Sequence, residues 1–173
     1  MINQKNFFSK EKRDYTNYFI AGFILLIAAT LVFIQNEAQN QNNKLQRDFL
    51  LYQETNTYLQ KGETEPIIEP LSKLHETYNM DFNISYGLAF SYLNNGNYEA
   101  ALPMYTKSMD LNPFLVENED FMYQYALVLS YNEQYEDAIT VINQLLTLPI
   151  DESFKAEVTK LKDSLSNKKG STT

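Results

Sequence analysis

The amino-acid sequence predicts an all-α protein, with a single N-terminal transmembrane helix followed by an α-α superhelical solenoid of about three helical hairpins plus a capping helix. Three observations carry that prediction. Residues 18–34, YFIAGFILLIAATLVFI, form a run of 17 without a charged side chain. Residues 82–113 place small and apolar side chains at helical spacing on both sides of a Gly-Asn turn. The same pattern returns at a shift of 34 towards the N-terminus and of 37 towards the C-terminus.

The apolar run comes first. At 1.5 Å per residue it spans roughly 25 Å, the short end of what a bilayer core requires. Its one hydroxyl, Thr30, can bond back to its own helix, and Tyr15 and Tyr18 stand where interfacial aromatics belong. A cleaved leader would need a small-x-small pair just beyond the run, and Gln35-Asn36-Glu37-Ala38 supplies none. A buried core helix would be amphipathic, whereas this run is apolar all round. Lys5, Lys10, Lys12 and Arg13 precede it, while Lys44 and Arg47 follow only at a distance. That bias predicts a cytoplasmic tail over 1–17, a single pass of the cell membrane and an extracytoplasmic domain beyond. The linker or stalk, 35–47, is rich in Asn and Gln but lacks Gly and Pro, and Leu45, Phe49 and Tyr52 then resume a helical stripe. Helix is therefore expected to continue, as a stalk, from the membrane into the first repeat.

The central repeat supplies the physics of the others. Leu88, Tyr92, Leu102 and Tyr105 fall on facing stripes of two helices, and Ala89 and Ala101 are small enough to let the axes approach. Gly96 can take a positive φ after the first helix, Asn97 can cap the second and Pro113 stops it. Forward, Tyr135, Ala138, Ile139, Ile142, Leu145 and Leu148 repeat the second helix, with Ala126 and Leu129 under Ala89 and Tyr92, and the extra residues fall around Glu117. Backward, Tyr58, Gly62, Ile67, Ile68, Leu71 and Leu74 match, but Glu54 and Thr55 stand where Leu88 and Ala89 should be, so this copy reads as degenerate. The repeats run about 48–81, 82–115 and 119–150 within a domain of 48–166. Pro66 suits the first turn of a helix, whereas Pro70 and Pro103, read as one turn inside theirs, are expected to bend them. Phe154, Val158, Leu161 and Leu165 form the apolar stripe of a capping helix, 152–166, whose polar face carries Lys155, Lys160, Lys162 and Asp163. The tail, 167–173, is too polar to fold and is expected to be disordered.

Leu88-Ala89 with Tyr92, the turn Gly96-Asn97-Tyr98, then Ala101, Tyr105, Ser108 and Leu111-Asn112-Pro113 resemble the tetratricopeptide (TPR) superfamily. The layout is similar to that of membrane-anchored TPR proteins, including exported accessory proteins that sit beside the Sec translocon. The resemblance implies that the first helices of successive TPR-like units line a concave peptide-binding groove. Matching positions are Phe49, Tyr52 and Asn56, then Tyr86, Phe90 and Asn94, then Tyr123, Leu127 and Tyr131. TPR proteins that clamp a chaperone's C-terminal carboxylate use Lys and Asn there, so Tyr86 and Phe90 argue against that activity. Aromatics at helical spacing also suit plain core packing.

Charge narrows the partner. Residues 48–166 hold 19 acidic against 6 basic side chains, a net −13, which repels phosphate backbones and argues against nucleic acid. An acidic rim around an aromatic groove suits a basic protein or peptide partner. Nothing organises catalysis. His75 is the one histidine, there is no Cys, and neither G-x-G-x-x-G nor G-x-x-x-x-G-K occurs. The carboxylates at Glu63 and Glu65, at Glu117, Glu119 and Asp120, and at Glu133, Glu136 and Asp137 suit helix dipoles better than a metal site. The expectation is a non-enzyme without cofactor or metal. It would act as a protein–protein interaction scaffold, adaptor or chaperone-like accessory factor at the membrane. The alternatives are a cytosol-facing receptor for basic amphipathic targeting peptides and a non-catalytic subunit of a cell-envelope enzyme complex.

Overall fold

Short polar side chains at the helix starts decide where most of the hairpins begin. In the computed structural model, which describes the backbone of residues 4–171 and the side chains of residue 15 and residues 17–168, seven α-helices follow one another. They are α1 Gln4–Lys61, α2 Ile68–Thr77, α3 Phe82–Asn94, α4 Tyr98–Leu111, α5 Glu119–Tyr131, α6 Tyr135–Leu145 and α7 Glu152–Ser171, with no strand among the described residues. Asp81, Asn97, Asn118 and Asp151 each accept a hydrogen bond from a free first-turn N–H, at 2.8 Å, 3.2 Å, 2.8 Å and 2.9 Å respectively.

The chain forms two compact units, Met1–Phe49 and Leu50–Thr173. In the first, α1 is exposed along its described side chains apart from Asp48. It belongs to the one helix among the described residues that is long and apolar enough to cross a membrane, with a mean hydropathy of 2.3 over its most apolar window. Thr30 donates its hydroxyl to Ile27 O at 2.8 Å, with Leu26 O at 3.0 Å, so the polar atom in the apolar run is satisfied within the helix. The helix expected over 35–47 is present, and α1 is unbroken from Gln4 to Lys61. The side chains of Lys5, Lys10, Lys12 and Arg13, on which the orientation rests, lie outside the described residues.

The second unit is the stack of hairpins. Ala89, Ala101, Ala126 and Ala138 are all fully buried, which places the small residues where the axes of α3 and α4, and of α5 and α6, come together. One core cluster gathers Tyr105, Phe121, Met122, Ile142 and Val158 around these alanines, and a second gathers Ile67, Leu71, Leu74, Ile84 and Leu88. The last turns of α1 reach the second cluster through Leu51, Tyr52, Tyr58 and Leu59. Thr55, read as a defect, is 1% exposed, and its hydroxyl donates to Tyr52 O at 2.8 Å. A buried Thr thus serves where the other copies have Ala, because its polar atom is satisfied by its own helix.

The turns repeat too. After α1, α3 and α5 the chain enters the left-handed region at Gly62 (φ 74°), Gly96 (φ 73°) and Glu133 (φ 61°). Each time the following N–H reaches back five residues: Glu63 to Tyr58 O at 3.0 Å, Asn97 to Tyr92 O at 2.9 Å and Gln134 to Leu129 O at 2.9 Å. These are Schellman closures. Asn95 and Asn132 then tie neighbouring units together. Asn95 Nδ2 donates to Thr64 Oγ1 at 3.0 Å, and Asn132 Nδ2 donates to Tyr98 O at 2.8 Å.

Two expectations change, those for Pro70 and for the tail. Pro70 is the third residue of α2, which starts at Ile68, so it lies in the first turn where no intrahelical N–H bond is required. Pro103 does lie inside α4, yet the helix runs through it to Leu111. The polar tail from Asn167 was expected to be disordered, but α7 extends to Ser171, past the end expected for the cap; residues 172–173 lie outside the described residues. The extra residues around Glu117 form a short 3-10 turn, Pro113–Glu117, that buries Leu115.

Candidate functional site

The end of α1 within the second unit, together with α3 and α5, lines a cleft of about 340 Å³. Its walls are Tyr52, Asn56 and Leu59 from α1, Asn83, Tyr86, Gly87 and Phe90 from α3, and Asp120 and Gln124 from α5. Periodicity explains the α1 and α3 contributions. Tyr52, Asn56 and Leu59 lie one turn apart on one face, as do Asn83, Tyr86, Gly87 and Phe90. Gly87 keeps the wall thin, since a Cβ there would come within 3.4 Å of both Leu59 Cδ1 and Leu71 Cδ1.

Gln124 organises the floor. Its Oε1 accepts from Tyr86 Oη at 3.0 Å and from Tyr105 Oη at 2.9 Å. Both lone pairs are then engaged, and the amide Nε2 is left as the donor that Gln124 can offer a ligand. Behind it stands an aromatic cluster. The Tyr86 and Phe121 rings meet edge-on at 5.2 Å, and Tyr105 meets Phe121 edge-on at 5.5 Å. Burial holds the Tyr86 hydroxyl above its ordinary pKa, and the Asp120 carboxylate adds to that rise while the Gln124 hydrogen bond works against it. Tyr105, buried beneath, is raised further for the same first reason, with Tyr86 as the second. Both phenols therefore remain neutral donors at ordinary pH. The lining holds one carboxylate, three amides and three aromatic rings, without Lys, Arg or His. It is suited to binding; no nucleophile and base pair up in it.

Of the residues expected to form a groove, Tyr52, Asn56, Tyr86 and Phe90 come together in this cleft. The others do not. Phe49 belongs to the first unit, where it is exposed. Asn94 is exposed, with its amide donating to Phe90 O of its own helix at 2.8 Å. Tyr123 is taken up by α7: its ring meets Phe154 edge-on at 5.3 Å, and its hydroxyl donates to Glu157 Oε1 at 2.6 Å. Tyr131 stacks on Tyr98 at 3.9 Å, and Leu127 is half-buried outside the cleft. Leu59, Asn83, Gly87, Asp120 and Gln124 were missed. The signal for the last two was the shift of 37, which carries Asn83 to Asp120 and Gly87 to Gln124. A second concavity, of about 510 Å³, is lined by consecutive residues, Thr77 to Asn83, of the single turn between α2 and α3.

Residues 83–114 match the family model described as tetratricopeptide repeat. That match spans one hairpin, α3 and α4. Solved structures extend the likeness to most of the chain. The Yersinia enterocolitica type III secretion translocator chaperone SycD aligns with a TM-score of 0.57 and 18% identity, covering 70% of this chain and 84% of that one. SycD in complex with a peptide of the translocator YopD gives 0.55 and 17%, covering 69% and 92%. The first TPR domain of Spaghetti (RPAP3), bound to the HSP90 peptide SRMEEVD, gives 0.57 and 16%, covering 72% and 94%. At such identities the fold is what is shared, a TPR-like all-helical stack. No curated protein matches the chain.

Proposed function

We propose that this protein is a non-catalytic, membrane-anchored TPR-like adaptor, which holds a segment of a partner protein in the cleft between α1, α3 and α5. The observation that carries the reading is the cleft itself. Its aromatic and amide lining is drawn from the first helix of each hairpin, and the TPR-like structures of similar fold were solved with peptides of YopD and of HSP90. Partner chemistry follows from charge, since a domain of net −13 favours a basic segment. The anchor is the apolar run at 18–34, and the basic residues before it support an extracytoplasmic domain.

Two experiments test it. A photo-crosslinking amino acid at Phe90 of the full chain, in its native membrane, is expected to yield a discrete adduct that Tyr86→Ala removes; an unchanged adduct in that variant counts against the cleft. A cysteine introduced at Ser164 is expected to react with a membrane-impermeant thiol reagent on intact cells. Protection of that cysteine until lysis reverses the topology and favours a cytosol-facing receptor for basic targeting peptides.

A further inference from the structure

The cleft lining contains a single charged side chain, the solvent-exposed Asp120. Asp120 stands in the first turn of α5, and the lining around it is the amides of Asn56, Asn83 and Gln124 and the rings of Tyr52, Tyr86 and Phe90. Gln124 carries no charge to balance the carboxylate, and its oxygen, itself an acceptor, is held by two tyrosine hydroxyls. No basic side chain of the cleft lining pairs with it. A volume of about 340 Å³ lies at the small end of ligand pockets, roughly 300–1,000 Å³, so it suits one or two side chains better than a whole helix.

From this juxtaposition we infer that the cleft is a subsite for one cationic side chain, an Arg or Lys of the bound segment, with its charge at Asp120 and its stem along Tyr86 and Phe90. The inference rests on the peptide-holding role above and adds what is read. An apolar anchor would offer the Asp120 carboxylate no hydrogen bond and no opposite charge. An anion would be repelled by Asp120. A guanidinium or ammonium satisfies both: the carboxylate accepts a charge-assisted hydrogen bond, and aromatic faces attract the cation. That the Tyr86 hydroxyl is raised partly by Asp120 places this negative charge close to the ring that the stem would cross.

The test uses the full chain in detergent micelles, immobilised, and a synthetic library of random twelve-residue peptides. Each captured pool is sequenced, with Arg-only and Lys-only sub-libraries to separate the two cations. The wild-type chain is expected to enrich a basic residue about tenfold at one position. Asp120→Asn is expected to remove that enrichment while still capturing peptides, and Asp120→Lys to replace it with enrichment of Asp or Glu. Tyr86→Ala combined with Phe90→Ala is expected to abolish capture. Near-ultraviolet circular dichroism of the Tyr105 cluster verifies the fold of each variant. Capture without basic enrichment, or with enrichment that survives Asp120→Asn, overturns the cationic subsite and leaves the peptide-holding role standing. Failure of the wild-type chain to capture any peptide overturns both.

Discussion

Glu133 is where the repeat departs most clearly from its own rule, and changing it is expected to stabilise the domain. Gly62 and Gly96 hold the equivalent positions at φ 74° and 73°, whereas Glu133 is held at φ 61°. A side chain in the left-handed region costs roughly 1–2 kcal/mol relative to the right-handed one. A carboxylate beyond the C-terminus of α5 also faces the negative end of the helix dipole, at about 0.3–1 kcal/mol. Against these stands the greater freedom of an unfolded glycine, about 0.5–1 kcal/mol. Glu133→Gly should therefore gain about 1 kcal/mol, a rise of roughly 2–8 °C in Tm for a domain of this size. Gly96→Ala is the reverse experiment. A Cβ there meets nothing within 4 Å, so the loss, again about 1 kcal/mol, would be backbone strain alone. Both are read by urea denaturation of the full chain, followed through the near-ultraviolet signal of the buried tyrosines. If Glu133→Gly leaves the midpoint unmoved or lowers it, the assignment of a common Schellman closure to all three hairpins is wrong.

The remaining predictions concern the packing and polar contacts of the stack. Ala126→Leu forces an isobutyl group into a fully buried position between α5 and α6 and should cost about 1–3 kcal/mol or more, measured by the same denaturation. Asn132→Ala removes the bond to Tyr98 O that ties one unit to the next and should cost about 1 kcal/mol, with Asn95→Ala behaving alike at Thr64. Tyr123 is pushed up to about 12, first by burial and then by its bond to Glu157. Its contribution to stability is thus complete below the ordinary tyrosine value near 10 and lost as the pH rises through about 12. A phenolate absorbance titration should show a late-titrating tyrosine that moves to lower pH in Glu157→Gln.

Helical spacing made the fold legible, because the pattern of small and apolar residues that identifies a hairpin in sequence is the pattern that packs it. Ala89 and Ala101, read as the crossing residues, are fully buried. Where the reading failed, a residue type was judged without its neighbours. Thr55 was discounted as polar, yet a hydroxyl that bonds to its own helix can be buried. Pro70 was placed one turn inside a helix because the 3-10 turn at Glu65–Ile67, which delays the start of α2, has no pattern of its own. The candidate cleft was half legible. Tyr52, Asn56, Tyr86 and Phe90 followed from the TPR resemblance, but a shift of 37 applied to Tyr86 gives Tyr123, whereas the helix face that reaches the cleft carries Asp120 and Gln124.

That displacement by one turn bears on what the surface can bind. Solenoid grooves lengthen by adding equivalent first helices, and the sequence predicted three sets of residues in a row. In the second unit the third set is divided. Tyr123 packs on Phe154 and bonds to Glu157 of α7, and Tyr131 stacks on Tyr98. The capping helix thus takes over apolar surface that a longer stack would leave to another hairpin. Under the proposed function, what remains for a partner is a short cleft with an aromatic side and one carboxylate, and a site of that size would discriminate by a single anchoring side chain more than by the length of the segment it holds. Selectivity should then reside in Asp120 and Gln124, the two positions that sequence periodicity alone assigned to no role in the groove.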